Sequence, residues 1–230
     1  KELERYVREG GRLLVAGVVP PALPIGRVVG KRTATQGYWR VHDHGLLPSL
    51  KNTKLLFIDG EYVELEPLAK PLLTLIPTAM FGPPEKVWGD KTETTIPGLS
   101  LAEYEKGSVA YIPWDVGGLY YRHGSPGHAG LIADVIDRLL PGGRQLKTNA
   151  HPLVEMTLME QPGRKRTLVH LVNATGHSGT AYFPPVPLSD IRIELARRNT
   201  EIQKDKIRCE RRHGLERCGR GVRRLQPRHA

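Results

Sequence analysis

The sequence predicts an α/β layer followed by a small antiparallel β module and a basic tail, and three observations predict it. Within residues 107–140, KGSVAYIPWD reads as a buried strand and SPGHAGLIADVIDRLLPGG as a punctuated helix, the strand, loop and covering helix of an α/β layer. Beyond Gln145 the apolar period falls to two or to near-continuous runs, in LVEMTLMEQ, a PGRK turn signal, TLVHLVNA and DIRIELA. The third observation is where the charge lies. The 34 Lys/Arg and 24 Asp/Glu give a formal net charge of +10, but twelve basic and four acidic residues fall between Arg197 and Ala230. That tail carries +8 and residues 1–196 only +2, so a pI near 9.7 says little about what the folded body binds.

Each element follows from local signals. Leu3, Tyr6 and Val7 recur at helical spacing in KELERYVREGG, and Gly10-Gly11 suits a helix stop. RLLVAG, Arg12 to Gly17, reads as a buried strand. A helix feeding a core strand normally follows an earlier strand, so the chain is expected to begin inside a domain. Residues 18–52 are rich in proline and glycine, with a strand expected at Gly37 to His44; further short strands are expected at 54–58, 61–65 and 72–76. Residues 77–98, with Pro77, Pro83, Pro84 and Pro97, read as a long loop. In the long helix Ser125 is the expected N-cap, Pro126 the first helical residue, and Pro141-Gly142-Gly143 the stop. Leu131, Ile132, Val135, Ile136, Leu139 and Leu140 form its apolar stripe, and Asp134 and Arg138 are expected to pair on the other face. The expected organisation is an α/β domain over 1–143, a β module over 144–196 and a disordered basic tail over 197–230.

Composition excludes several classes. Cys209 and Cys218 are the only cysteines and both lie in the tail, so the body holds no thiol nucleophile, disulfide framework or cysteine metal site. Residues 1–10 do not resemble a secretory leader, and Leu13 to Gly26 is too short and too broken by Pro20, Pro21 and Pro24 to span a bilayer. A soluble protein is expected, with the cytoplasm favoured and no membrane partner.

YVREGGRLLVAG, then EYEKGSVAYIPWDVGGLYYRHGSPGHAGLIADVIDRLL, then VEMTLMEQPGRKRTLVHLVNATG resemble the region after the catalytic barrel in a group of bacterial glycoside hydrolases. There a class I glutamine-amidotransferase-like domain, related to the beta-galactosidase trimerisation domain, precedes a small β module. The similarity covers residues 1–196 and is most specific over 103–175. It implies a flavodoxin-like sheet with flanking helices, no cofactor, and work as a fragment: packing on the barrel of the parent protein, or homo-oligomerisation. The chain lacks the barrel and, on this resemblance, the first strand of the α/β domain. It departs from the amidotransferase pattern in having no cysteine in the body, so the namesake chemistry is absent and no catalytic residue is assigned. The tail does not resemble the family's continuation. Its Arg-, Gly-, Cys- and His-rich text is what out-of-frame reading of a GC-rich gene yields, and a frameshift is expected.

Two clusters are candidate sites. Asp115, Tyr120, Tyr121, Arg122, His123 and His128 follow the strand Ser108 to Pro113, where ligand sites of open α/β sheets lie. Their aromatic faces and hydrogen-bonding groups suit sugar hydroxyls; packing within the domain and contact with a neighbouring domain or subunit stay open beside that. Tyr38, Trp39, Arg40, His42, Asp43 and His44 form a second polar-aromatic patch. On a strand His42 and His44 share one face and Asp43 the other, and two ligands do not make a metal site, so an edge strand at a carbohydrate- or subunit-facing surface is expected there.

Other motifs read as structural. Asp59 with Glu61, and Glu64 with Glu66, look like solvated strand faces rather than the paired carboxylates of a glycosidase. His170 in LVHLV reads as a core or half-buried histidine, Asn173-Ala174-Thr175 as a chance sequon, and GRVVG at 26–30 as no phosphate loop. Cys209, Cys218, His213 and His229 do not reproduce a zinc-finger spacing. A free-standing carbohydrate-binding protein, and nucleic-acid binding through the tail, are the alternatives to the accessory reading; nucleic acid is not expected to bind the body.

Overall fold

The computed structural model describes residues 2–78, 83, 85, 93–164 and 166–195. The chain divides into two compact units, Lys1–Arg144 and Gln145–Ala230. The expectations for the tail, its disorder and its reading frame, and for most of the 77–98 loop lie outside the described residues. No described helix is long and apolar enough to cross a membrane.

In the first unit α1 (Glu2–Arg8) leads into β1 (Arg12–Ala16), which runs parallel to β6 (Gly107–Ile112). β5 (Ser100–Tyr104) pairs antiparallel on the far side of β6, giving the order β1-β6-β5. All six residues of β6 are buried, as a central strand covered on both faces requires. Ala110 and Ile112 face the main core, whereas Val109 and Tyr111 face a second cluster with Ile25, Val63 and Leu65. In that second cluster the Tyr111 hydroxyl donates to the Gly17 carbonyl, and burial pushes its pKa up to about 12.

The second sheet is antiparallel, in the order β3-β2-β4, from β2 (Arg27–Val41), β3 (Leu55–Glu66) and β4 (Leu73–Ile76). The strands expected at 54–58 and 61–65 are one continuous β3, because β2 is long enough to pair with both halves. The register shifts between Ala34 and Gly37 absorb the interruption at Asp59-Gly60. β2 ends at Val41, so residues 42–44, expected on the strand, form its exit turn instead.

Two helices cover the main core. Asp115 caps α2 (Val116–His123) by accepting the Gly118 N–H at 2.8 Å, and Gly124, at φ 61°, closes it with its N–H on the Tyr120 carbonyl. This segment was expected to be a loop; the cap is what makes it helical despite Gly117 and Gly118. α3 (Pro126–Leu139) starts where expected, although the Ser125 side chain makes no capping bond and Pro126 alone marks the start. Leu131, Val135 and Leu139 of its stripe are buried, but Leu140 lies at the exposed C-cap. Asp134 is not paired with Arg138 on the outer face. It is buried and accepts both the Ser49 hydroxyl (2.6 Å) and the Ser49 N–H (2.9 Å), because α3 packs on the short 3-10 turn Pro48–Leu50. At the centre of the core, Trp39 and Trp114 lie 5.8 Å apart between ring centroids, with Tyr62 edge-on to Trp39. Full burial of each such side chain contributes about 2–3 kcal/mol.

The second unit is built from strand pairs: β7 (Leu146–Thr148) with β12 (Ile193–Leu195), β8 (Val154–Gln161) with β9 (Arg166–Asn173), and β10 (His177–Ser178) with β11 (Ala181–Tyr182). Val154 is the one buried apolar side chain among its described residues. His170, expected in or near a core, is exposed on β9 opposite Thr157. Asn173 Oδ1 accepts from the Thr175 N–H and hydroxyl while its Nδ2 donates to the Val186 carbonyl, which gives the sequon asparagine a turn-forming role. The chain is thus α/β, with more strand than helix and small antiparallel sheets.

Candidate functional site

The two clusters singled out in the sequence meet on one residue, Phe57 of β3. Cross-strand register sets Tyr38 of β2 opposite Phe57, with ring centroids 6.0 Å apart in an edge-on pair. From the other side the His123 ring of α2 meets Phe57 edge-on at 5.5 Å. Beneath them His128 of α3 bonds the Phe57 carbonyl through Nε2 at 2.7 Å. Tyr38 is 41% exposed and Arg40, two residues on and facing the same way, is also exposed. Leu55, opposite Arg40, adds a half-exposed apolar side chain. The result is an open surface of Tyr38, Arg40, Leu55, Phe57 and His123 over the end of β2, β3 and α2.

The remaining candidates divide between surface and core. Tyr121 is 90% exposed on α2, Arg122 is exposed and Tyr120 half-buried. Asp115 is committed to the α2 cap. Trp39 and His128 are wholly buried, facing away from the surface that their sequence neighbours build. Strand alternation accounts for Trp39, and the helical stripe for His128, whose ring stands edge-on to Trp114 at 5.5 Å. Because a carbonyl only accepts, the His128 proton resides on Nε2, leaving Nδ1 buried without a partner. Burial, and secondarily the nearby His123, hold its pKa below the ordinary histidine value against the opposing Phe57 hydrogen bond.

The residues 42–44 are each engaged in closing the β2 exit. His42 Nε2 lies 2.7 Å from the Thr74 hydroxyl and 3.3 Å from a Glu93 carboxylate oxygen. The Asp43 carboxylate accepts the N–H groups of Gly45 and Leu46, and His44 Nδ1 bonds the Leu50 carbonyl. Among the described residues no group of three or more His, Cys, Asp or Glu is placed to hold a metal. Three of the four carboxylates of the two strand pairs are likewise engaged: Glu64 pairs with Arg32 at 2.8 Å, Glu66 with Arg27, and Asp59 accepts the Gln36 N–H, while Glu61 lies exposed on β3. The Arg27 guanidinium holds the Glu66 carboxyl below the usual carboxylate range.

Sequence reasoning missed Phe57, which sits in the apolar run LLFI where nothing local separates an outward ring from an inward one. A cleft of about 200 Å3 lies elsewhere in this unit, lined by Arg12, Glu103, Ser108 and Arg138 among others. It lies over β1, β5, β6 and the last turn of α3 and takes in none of the Phe57 surface, which is an open contact surface rather than an enclosed ligand pocket.

No known family model and no curated protein sequence matches the chain. Among solved structures it is similar to the alpha-L-fucosidase isoenzyme 2 from Paenibacillus thiaminolyticus, with a TM-score of 0.62 and 22% identity over 84% of this chain and 31% of that one. The beta-galactosidase from Bacillus circulans sp. alkalophilus follows at a TM-score of 0.49 and 14% identity, over 76% of this chain and 25% of that one. The likeness is one of fold, and this chain spans less than a third of either glycosidase.

Proposed function

We propose that this chain is a non-catalytic accessory region of a glycoside hydrolase, which packs on a catalytic barrel of the parent protein through the Tyr38, Arg40, Leu55, Phe57 and His123 surface. The observation that carries this reading is the fold likeness to a fucosidase, which takes in most of this chain and under a third of that one. The open surface supports it: exposed Tyr, His and Arg side chains over an apolar floor are the composition of a protein contact patch. The engagement of Glu64 and Glu66 in ion pairs, of Asp115 in a helix cap and of Asp59 with the Gln36 N–H fits a region that leaves acid and nucleophile to the barrel. In this reading residues 1–143 form a glutamine-amidotransferase-like, trimerisation-like domain, residues 144–196 a β module, and the protein works in the cytoplasm.

The free-standing carbohydrate-binding alternative is favoured by one observation, the 90% exposure of Tyr121, whose ring is free to stack on a sugar. Coexpression of the chain with the protein encoded immediately upstream of it separates the two readings. The accessory reading expects a barrel sequence there, copurification, and weaker association for His123→Ala and Tyr38→Ser. Absence of any barrel, together with sugar-induced NMR shifts at Tyr121 in the chain alone, would overturn it in favour of the alternative.

A further inference from the structure

The second unit carries a strand edge to which no other strand pairs among the described residues. β8 and β9 pair only with each other, over eight register positions from Val154 opposite Asn173 to Gln161 opposite Arg166. A two-stranded ribbon is marginal by itself in water and gains stability from a third and fourth strand. Both of its faces carry apolar side chains: Met156, Leu158, Val169 and Leu171 on one, Met159, Leu168 and Val172 on the other. Leu171 and Val172 are 42% and 56% exposed.

The two edges differ in what they would accept. β8 carries Glu155 and Glu160, the charges that natural sheets use to keep an edge from pairing. β9, RTLVHLVN, has no acidic residue, lysine, proline or register shift between Thr167 and Asn173. An occupant must supply apolar side chains on both faces and no facing carboxylate. A second β9 does. Antiparallel self-pairing about His170 sets Leu168 opposite the partner's Val172 and Val169 opposite the partner's Leu171, and it keeps each side chain on the face it already occupies. The only like pair on the axis is His170 with the partner's His170, and no carboxylate meets a carboxylate.

We propose that β9 is a homodimerisation edge, joining two copies of this chain into a four-stranded sheet β8-β9-β9-β8 with His170 on the two-fold axis. The contact is isologous, so it closes at two copies. It uses only the second unit and holds or fails independently of the accessory-region reading.

Sedimentation of the full chain from micromolar to submillimolar concentration tests it. A monomer–dimer equilibrium is expected, and His170→Lys or His170→Glu should each weaken it by ~10-fold or more by placing like charges directly opposite one another. An equimolar mixture of the two variants should regain the dimer, whereas Thr157→Lys, which adds the same charge to the same face on β8, should leave it unchanged. If the charged variants fold poorly, His170→Cys in a Cys209→Ser, Cys218→Ser background should give a disulfide-linked dimer on oxidation, because directly opposed residues lie within disulfide reach. A chain that stays monomeric throughout, a self-association indifferent to residue 170, or failure of the cysteine variant to cross-link overturns the proposal.

Discussion

Asp134 of α3 and Ser49 of the Pro48–Leu50 turn, 85 residues apart in sequence, are joined by two hydrogen bonds, one from the Ser49 hydroxyl at 2.6 Å and one from its N–H at 2.9 Å. The pair fixes the β2–β3 connection to the covering helix. Asp134→Ala removes both bonds and leaves a partly buried N–H without a partner, so we expect a loss of about 1–3 kcal/mol in urea unfolding followed by tryptophan fluorescence. Arg138→Ala, by contrast, should change stability by less than about 0.5 kcal/mol, since Arg138 is exposed and does not pair with Asp134.

The His128 imidazole predicts an acid-sensitive fold. Its folded-state pKa lies below the unfolded value, so between the two the unfolded chain binds more protons and stability falls as pH falls. Stability should therefore be level above about pH 6.5 and decline below it, with a slope of up to about 1.4 kcal/mol per pH unit from this residue. His128→Gln keeps a donor for the Phe57 carbonyl and cannot titrate. The loss of stability between pH 7 and pH 5 should be smaller in that variant, and an unchanged loss would remove His128 as its source.

Gly98 lies against the Trp39 ring so closely that an added Cβ would come within 2.6 Å of ring carbons, and its carbonyl accepts the Trp114 indole N–H at 2.9 Å. Gly98→Ala should thus overpack the core and destabilise it by about 1–3 kcal/mol. Near-UV circular dichroism should report it as well, because Trp39 and Trp114, with centroids 5.8 Å apart and planes tilted by 31°, are close enough to sense each other's displacement.

Tyr121 offers the opposite case. At 90% exposure its replacement by Ser should leave unfolding free energy within about 0.5 kcal/mol of the parent. Tyr38→Ser and His123→Ala, on the Phe57 surface, should by contrast weaken association with the proposed barrel partner, and a pull-down indifferent to both together would remove that surface from the interface.

Much of the framework was legible from local pattern. The apolar run of β6, the Pro126 start and stripe of α3, and the period-two hairpin β8–β9 each follow from side-chain spacing along one element. The candidate surface was half legible. Tyr38 and His123 stood out as polar-aromatic residues in two separate motifs, but Phe57, which connects them, did not. Its ring turns outward only because β3 pairs with β2 in the register that sets Tyr38 opposite it. α2 was misread as a loop because its two glycines mask a helix that the Asp115 cap secures.

By itself the sequence determined which segments bury an apolar face and where the charge lies, because periodicity and composition are properties of neighbouring residues. Tertiary structure decided which polar residues work inside the fold. Asp134 turned inward to Ser49 and His128 to the Phe57 carbonyl because buried polar groups must find partners, and theirs lie 85 and 71 residues away. Helical spacing says which face is apolar. It does not say which carboxylate or imidazole on that helix meets a donor or acceptor brought there by another strand or turn.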